Sequence, residues 1–280
     1  MKIFQHKKTI MAYLERYTDK NIGLVPTMGA LHDGHLSLVE QSVVENDLTV
    51  VSIFINPTQF DNNNDLEKYP KTFENDIAKL KSVSEHLIVF SPTTEEMYAK
   101  NITSQKFQFD GLESEMEGKH RLGHFDGVGT IVKRFFEIIK PDNAYFGEKD
   151  YQQLQIIKTL VKKLNIPVNI VGCPIKREEN GLAMSSRNER LPKEIRHKAA
   201  VIYKTLKKAK EMFGTKSANE IKEWVNVYFD ENPDFKLEYF EIANANTLKS
   251  IKQKTQNTKY RAFIAVYADD IRLIDNIALN

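Results

Sequence analysis

The sequence predicts an α/β protein, a doubly wound and mainly parallel sheet with a second, smaller C-terminal α/β or α+β domain. Three observations carry this expectation. Strand-like and helical runs alternate from the start of the chain to about residue 175, as in successive βαβ units. The strand-like runs are rich in Val and Ile without polar alternation, which suits strands covered by helices on both faces. Beyond residue 176 the texture changes to Lys-rich helices and short strands. The expected division is therefore a Rossmann-like domain over 1–175 and a smaller domain over 176–280.

The first strand-like run is "NIGLVP", in which Ile22, Leu24 and Val25 read as the end of a buried strand. It leads into "PTMGALHDGHLSLV", residues 26–39, where Leu36, Leu38 and Val39 begin a helical apolar pattern. A helix beginning near Asp33 is expected. Next come the strand "LTVVSIFI", the helix "TFENDIAKLKSV" and the strand "HLIVF". Later runs are the helix "VGTIVKRFFEIIK", the strand "NAYFG", the helix "YQQLQIIKTLVKKL" and the strand "PVNIVGC". After "KREENGLAMSSRNERL" the pattern gives helices "KEIRHKAAVIYKTLKKAKEMF" and "SANEIKEWVNVYFDE", then strands "FKLEYFEIA" and "YRAFIAVYA".

Composition narrows the function classes. With 280 residues, 41% hydrophobic and 28% charged, the chain is long enough for one large or two smaller domains. Lys+Arg 40 against Asp+Glu 38 gives a net +2, too balanced for broad attraction to nucleic acid or a membrane. A small-molecule ligand is the expectation. The single cysteine, Cys173, excludes an internal disulfide, no apolar run reaches the length of a membrane span, and "MKIFQHKKTI" lacks a signal-peptide core. These features predict a cytoplasmic protein.

Four constellations could carry chemistry. In "HDGH", His32 and His35 are three apart at a strand-to-helix turn, and Gly34 lets a ligand approach the backbone. Each imidazole can donate to a phosphate oxygen, and the helix end adds about half a positive charge. The plainer alternative is a helix capped at Asp33 with two incidental histidines. A zinc site would need ligands that the sequence does not supply. The second constellation, "FGEKDYQQL", puts Gly147, Lys149 and Asp150 at the carboxyl end of a strand, where open α/β sheets bind ligands. Lys149 there reads as a phosphate contact or as an exposed lysine beside Asp150, and Gln152 and Gln153 as site or helix-surface amides. The third, "GLAMSSRN", offers the Ser185 and Ser186 hydroxyls with the Arg187 fork as an anion clamp, or simply a capped loop. The fourth, "FINPTQF", places the neutral amides Asn56 and Gln59 at a strand end, although Asn-Pro also marks a turn. His6, His86, His120 and His197 read as surface or packing residues, whereas His124 lies in a glycine-containing loop with Arg121.

Taken together these segments resemble one family. "LVPTMGALHDGH", "VVSIFINPTQF", "YPKTFENDIAKL", "GHFDGV", "FGEKDYQQL" and "GLAMSSRN" occur in the order and spacing of the pantothenate synthetase (pantoate–beta-alanine ligase) family, across nearly the full chain. The HxGH turn alone is shared with other nucleotidyltransferases and class I aminoacyl-tRNA synthetases.

The resemblance implies an ATP-dependent condensation of pantoate with beta-alanine through a pantoyl adenylate, with pyrophosphate and AMP released. It implies that Met28, Gly29, Ala30, Leu31, His32, Asp33, Gly34 and His35 line the ATP site. Gly147, Glu148, Lys149, Asp150, Met184, Ser185, Ser186 and Arg187 would complete that site, with the Lys176 backbone beside the adenine. His35, His32, Lys149 and Arg187 are the implied catalytic residues. Gln59 and Gln153 would bind pantoate, Gln59 also reaching toward beta-alanine. Family members usually carry apolar residues where this chain has Cys173 and Lys176. The resemblance further implies Mg2+ bound mainly by the phosphates, with Asp76 and Asp150 as conceivable neighbours, a homodimer, and a lid role for the 176–280 domain. Two other readings stay open at this level. A related enzyme moving AMP onto a phosphate would want more Arg and Lys than the neutral Asn56, Gln59 and Gln153 provide, and a nonenzymatic nucleotide-binding module would bind ATP without turnover.

Overall fold

The structure, a computed structural model, describes residues 1–60 and 63–280. It separates into two compact units. The first comprises Met1–Glu113, Glu117–Glu148 and Gln153–Pro174, and the second Ser114–Met116, Lys149–Gln152 and Ile175–Asn280. Two short segments from the first 175 residues thus group with the C-terminal part of the chain.

The first unit is built on six strands, β1 (Lys2–Phe4), β2 (Ile22–Thr27), β3 (Leu48–Ile53), β4 (Ile88–Phe90), β5 (Asn143–Gly147) and β6 (Asn169–Cys173). Their order is β1-β4-β3-β2-β5-β6, and every pairing is parallel. Leu24, Val25, Val50, Val51, Val89 and Ala144 are fully buried, which explains why these strands show no polar alternation. The doubly wound parallel sheet expected from the sequence is the sheet observed. Chain order runs outward from β2 through β3 and β4, then resumes at β5 on the other side of β2. The crevice between β2 and β5 is therefore the switch point where sheets of this type bind ligands at their carboxyl ends.

Helix Asp33–Glu45 begins at the expected place, and Leu38 and Val39 bury its apolar face with Val25, Val51, Ile77, Leu80 and Tyr145. Helix Phe73–Val83 matches its sequence pattern closely. The helix expected from Val128 starts earlier and spans His124–Ile139. β1 escapes sequence reading because three partly exposed edge residues carry too little pattern.

In the second unit, β7 (Lys236–Asn244), β8 (Tyr260–Ala268) and β9 (Ile271–Ala278) form an antiparallel sheet. Helices Ala200–Phe213 and Ala218–Asp230 bury Leu206, Ile221 and Val225 in one core with Phe240, Ile264 and Val266. The run expected as one helix over 193–213 is divided at Ala199, where ψ flattens to −11°. β9 also escapes sequence reading, because Asp275 and Asn276 interrupt its apolar pattern, although both are buried.

Candidate active site

The turn after β2 is fixed by a carboxylate from a neighbouring helix. Asp76, buried in the first turn of Phe73–Val83, accepts the Ala30 N–H at 3.0 Å and the Leu31 N–H at 2.8 Å. The Thr72 hydroxyl donates to the same carboxylate at 3.2 Å, and the Lys79 ammonium holds the Leu31 carbonyl at 2.5 Å. Gly29 makes the turn possible. It sits at φ +81°, and a Cβ there would lie 3.0 Å from Asp76 Oδ2 and 3.2 Å from Ile53.

His32 is the N-cap of helix Asp33–Glu45, and Asp33 is its first helical residue. The sequence alternative of a cap at Asp33 is thus shifted by one residue. The imidazole takes the place usually held by a Ser, Thr, Asp or Asn oxygen. His32 Nδ1 accepts the Gly34 N–H at 3.1 Å, and His35 Nδ1 accepts the His32 N–H at 3.4 Å. The two rings lie together, with centroids 4.0 Å apart. Reciprocal acceptance makes this a capping box built from two histidines. An imidazole nitrogen that accepts a hydrogen bond carries no proton, so the neutral tautomer of each ring has its proton on Nε2. Two Nε2–H donors are thereby fixed at the positive end of a 13-residue helix beside the switch point.

Gln59 is held by both its backbone and its side chain. It ends the short turn Pro57–Gln59 after β3 and is buried. Its carbonyl accepts His124 Nδ1–H at 2.6 Å and an Arg121 guanidinium N–H at 3.4 Å. Arg121 also donates to His124 Nε2 at 3.2 Å, which fixes the opposite tautomer at His124 from that in the HxGH pair. A Cβ on Gly127 would fall 2.3 Å from the Thr58 carbonyl oxygen, so helix His124–Ile139 can pack this closely only with glycine there. The Gln59 amide oxygen accepts from Asn56 Nδ2 at 3.2 Å, and its Nε2 points to the Met28 sulfur. Asn56 is itself held by the Tyr98 hydroxyl and the Gly127 carbonyl. Gly147 ends β5, Glu148 follows it, and half-buried Gln153 lies in helix Tyr151–Leu164. The roles of Asp76, Arg121 and Tyr98 leave no local sequence signal, because each acts across a turn set by the fold.

In the second unit, Lys149 lies in the short turn Glu148–Asp150, its ammonium 3.6 Å from Asp150. Gln152, for which the sequence also allows a surface reading, is 3% exposed and donates to the Glu115 carbonyl at 2.8 Å. Ser185 caps the turn Ser186–Arg190 by accepting the Arg187 N–H at 3.3 Å. Ser186 is buried, Met184 and Arg187 are half-buried, and Asn188 anchors the turn to Glu178 and the Ala183 carbonyl. Lys176 is exposed, and its carbonyl accepts the Met184 N–H at 3.0 Å, so its backbone rather than its side chain meets this loop.

Among the described residues no group of three His, Cys, Asp or Glu side chains is placed to hold a metal ion. Asp76 is occupied by the turn it anchors, and Asp150 lies against Lys149. No described helix is long and apolar enough to cross a membrane.

A family model described as pantoate-beta-alanine ligase matches residues 2–278. The pantothenate synthetase of Flavobacterium psychrophilum is 57% identical, with both chains covered in full. Pantothenate synthetase from Thermus thermophilus superposes with a TM-score of 0.91 at 38% identity, covering 100% of this chain and 99% of its own. Pantoate-beta-alanine ligase from Francisella tularensis, solved with beta-gamma ATP and beta-alanine, superposes with a TM-score of 0.78 at 35% identity, covering 100% and 98%.

Proposed function

This chain belongs to the pantoate-beta-alanine ligase family, and we propose that it performs the family's reaction in two steps built around the histidine-capped helix after β2. The reaction itself is the ATP-dependent condensation of pantoate with beta-alanine to pantothenate. In the first proposed step a pantoate carboxylate oxygen attacks the α-phosphorus of ATP and pyrophosphate leaves, giving pantoyl adenylate. In the second, the beta-alanine amine attacks the acyl carbon, loses a proton and expels AMP.

The reciprocal cap of His32 and His35 is the observation that carries this reading. It presents Nε2–H donors to phosphate oxygens that gain charge as the bond to the leaving group breaks. Met28, Gly29, Ala30, Leu31, Asp33 and Gly34 shape the ATP site with them, and Gln59 and Gln153 hold pantoate. Gln59 is well suited to that task, because its contacts fix the amide before a ligand arrives. Lys149 and Arg187 supply cationic charge to the phosphates. Gly147, Glu148, Asp150, Lys176, Met184, Ser185 and Ser186 complete the nucleotide site. Mg2+ enters with ATP, held mainly by the phosphates. The 176–280 part serves as a lid that excludes water from the hydrolysable adenylate. The protein works in the cytoplasm as a homodimer, and its mass in solution checks the latter.

Substrate omission tests the order of steps. Labelled pyrophosphate should exchange into ATP when pantoate is present and beta-alanine is absent. Exchange that requires beta-alanine, or ADP as the product, would refute the adenylate step.

A further inference from the structure

Lys149–Gln152 follows directly on β5 yet groups with the C-terminal unit. Side chains from β8 and β9 hold it there. Asn276 Nδ2 donates to the Lys149 carbonyl at 2.8 Å, while Asn276 Oδ1 accepts from the Arg261 guanidinium. The Arg261 guanidinium lies 4.0 Å from the centre of the Tyr151 ring, which also packs against Phe263. Asn276 and Arg261 are both buried, so the amide is fixed in one orientation, with its donor toward Lys149.

The preceding residue extends this grip to a second segment. Asp275 is buried, accepts the Asn276 backbone N–H at 2.7 Å and takes Arg177 in a bidentate ion pair at 2.6 and 3.0 Å. Burial pushes the Asp275 carboxyl's pKa up, and the Arg177 guanidinium works against that shift. Arg177 stacks 3.6 Å from the centre of the Tyr203 ring, donates to the Gly181 carbonyl at 3.1 Å and bridges to Ala183. Ala183 leads directly into Met184–Arg187. One run of polar contacts therefore passes from Lys149 through Asn276 and Asp275 to the base of the "MSSR" arm.

A buried ion pair adds little net stability over well-packed apolar residues, because desolvation offsets the attraction. What a bidentate pair and an oriented amide do fix is direction and register. We propose that Asn276 on β9 is a positioning residue that sets Lys149 for the nucleotide step, while Asp275 beside it fastens the base of the Met184–Arg187 arm through Arg177. This inference rests on the phosphate roles proposed above for Lys149 and Arg187. Asp275 and Asn276 act at one remove from the substrate, through the backbone that carries the residues that meet it.

The test is a double-mutant cycle read by pantoate-dependent exchange of pyrophosphate into ATP, scaled to the folded fraction of each variant. Asn276→Asp keeps the side-chain volume but replaces the donor facing the Lys149 carbonyl with an acceptor. It should lower the exchange rate about ten- to a hundredfold, as expected for a displaced contact group, while the pantoate KM stays within about twofold. Lys149→Ala should be slow on its own, and adding Asn276→Asp to it should cost nothing more. If Asn276→Asp fails to fold, Asn276→Ala removes the same donor without adding charge and is read the same way. An Asn276 variant at the parent rate, or a loss that multiplies with that of Lys149→Ala, overturns the positioning role and leaves the proposed function standing. Lys149→Ala at the parent rate overturns the phosphate role of Lys149 and this inference with it.

Discussion

The histidine turn of the first unit and the Lys149 and Met184–Arg187 segments of the second are positioned in different ways. His32 and His35 hold one another across three residues, and Asp76 fastens the backbone just before them. Lys149 is held by a strand 127 residues further along the chain, through a side-chain amide that a second side chain must orient. The first arrangement is set by a helix start and one buried carboxylate. The second depends on the antiparallel sheet of its own unit being complete. A helix cap can therefore be read from a short motif, whereas a network of this kind cannot.

Substitutions should separate the two arrangements. The largest effect is expected at His35, where replacing the ring with Ala removes the proposed donor to the developing charge and half of the capping box. Pyrophosphate exchange should fall by about 10² to 10³, with a smaller stability loss of about 1 kcal/mol. Exchange at the parent rate in folded His35→Ala would remove the histidine turn from the mechanism.

Lys149→Ala should follow, with exchange lower by about 10², and Lys149→Arg should restore little because a planar fork does not replace a compact ammonium. Arg187→Lys should be poorly tolerated for the converse reason. Near-parent turnover in these variants would leave Lys149 as a partner of Asp150 and Arg187 as part of a capped loop.

Asp76→Asn probes the anchor rather than the chemistry. The variant sets an amide N–H against one of two backbone donors now satisfied by the carboxylate, at a cost of about 1–3 kcal/mol. Thermal unfolding should report that loss, and exchange should fall less than in His35→Ala. A Tm equal to that of the parent would show that the turn holds its shape without the carboxylate.

The smallest effect concerns pH and the sheet beneath the site. Burial pushes the Cys173 thiol up from 9.0 to about 11, and burial with the Glu45 carboxylate beside it pushes the Tyr145 phenol up from 10.0 to about 12. The folded protein keeps both protons at a pH where the unfolded chain has lost them. The stabilisation is present in full below about pH 9 and lost as pH rises through 11 and 12. Native Cys173 should accordingly resist alkylation at pH 8, and rapid modification of the folded protein there would contradict its burial.

Much of the parallel sheet is legible in the sequence because its strands are buried on both faces and its helices carry a 3.6-residue apolar period. The His32–His35 motif is legible because a cap is local, although the sequence does not tell which residue of "HDG" caps the helix. Asp76 reads from the sequence as a conceivable neighbour of a metal ion, and only the fold shows its oxygens turned to Ala30 and Leu31. The grip of Arg121 and His124 on the Gln59 carbonyl joins residues more than 60 positions apart and has no periodic signature. Asp275 and Asn276 are hidden for the opposite reason. Buried polar residues in a short strand look like a loop until the partners that satisfy them are in place.

The proposed attack at the α-phosphorus is tested most directly by following one oxygen. Pantoate labelled with heavy oxygen in its carboxylate, supplied with ATP and beta-alanine, should deliver one labelled oxygen to AMP for each pantothenate formed. Label recovered in inorganic phosphate, with ADP as the nucleotide product, would contradict the adenylate step and the roles proposed for His32, His35, Lys149 and Arg187.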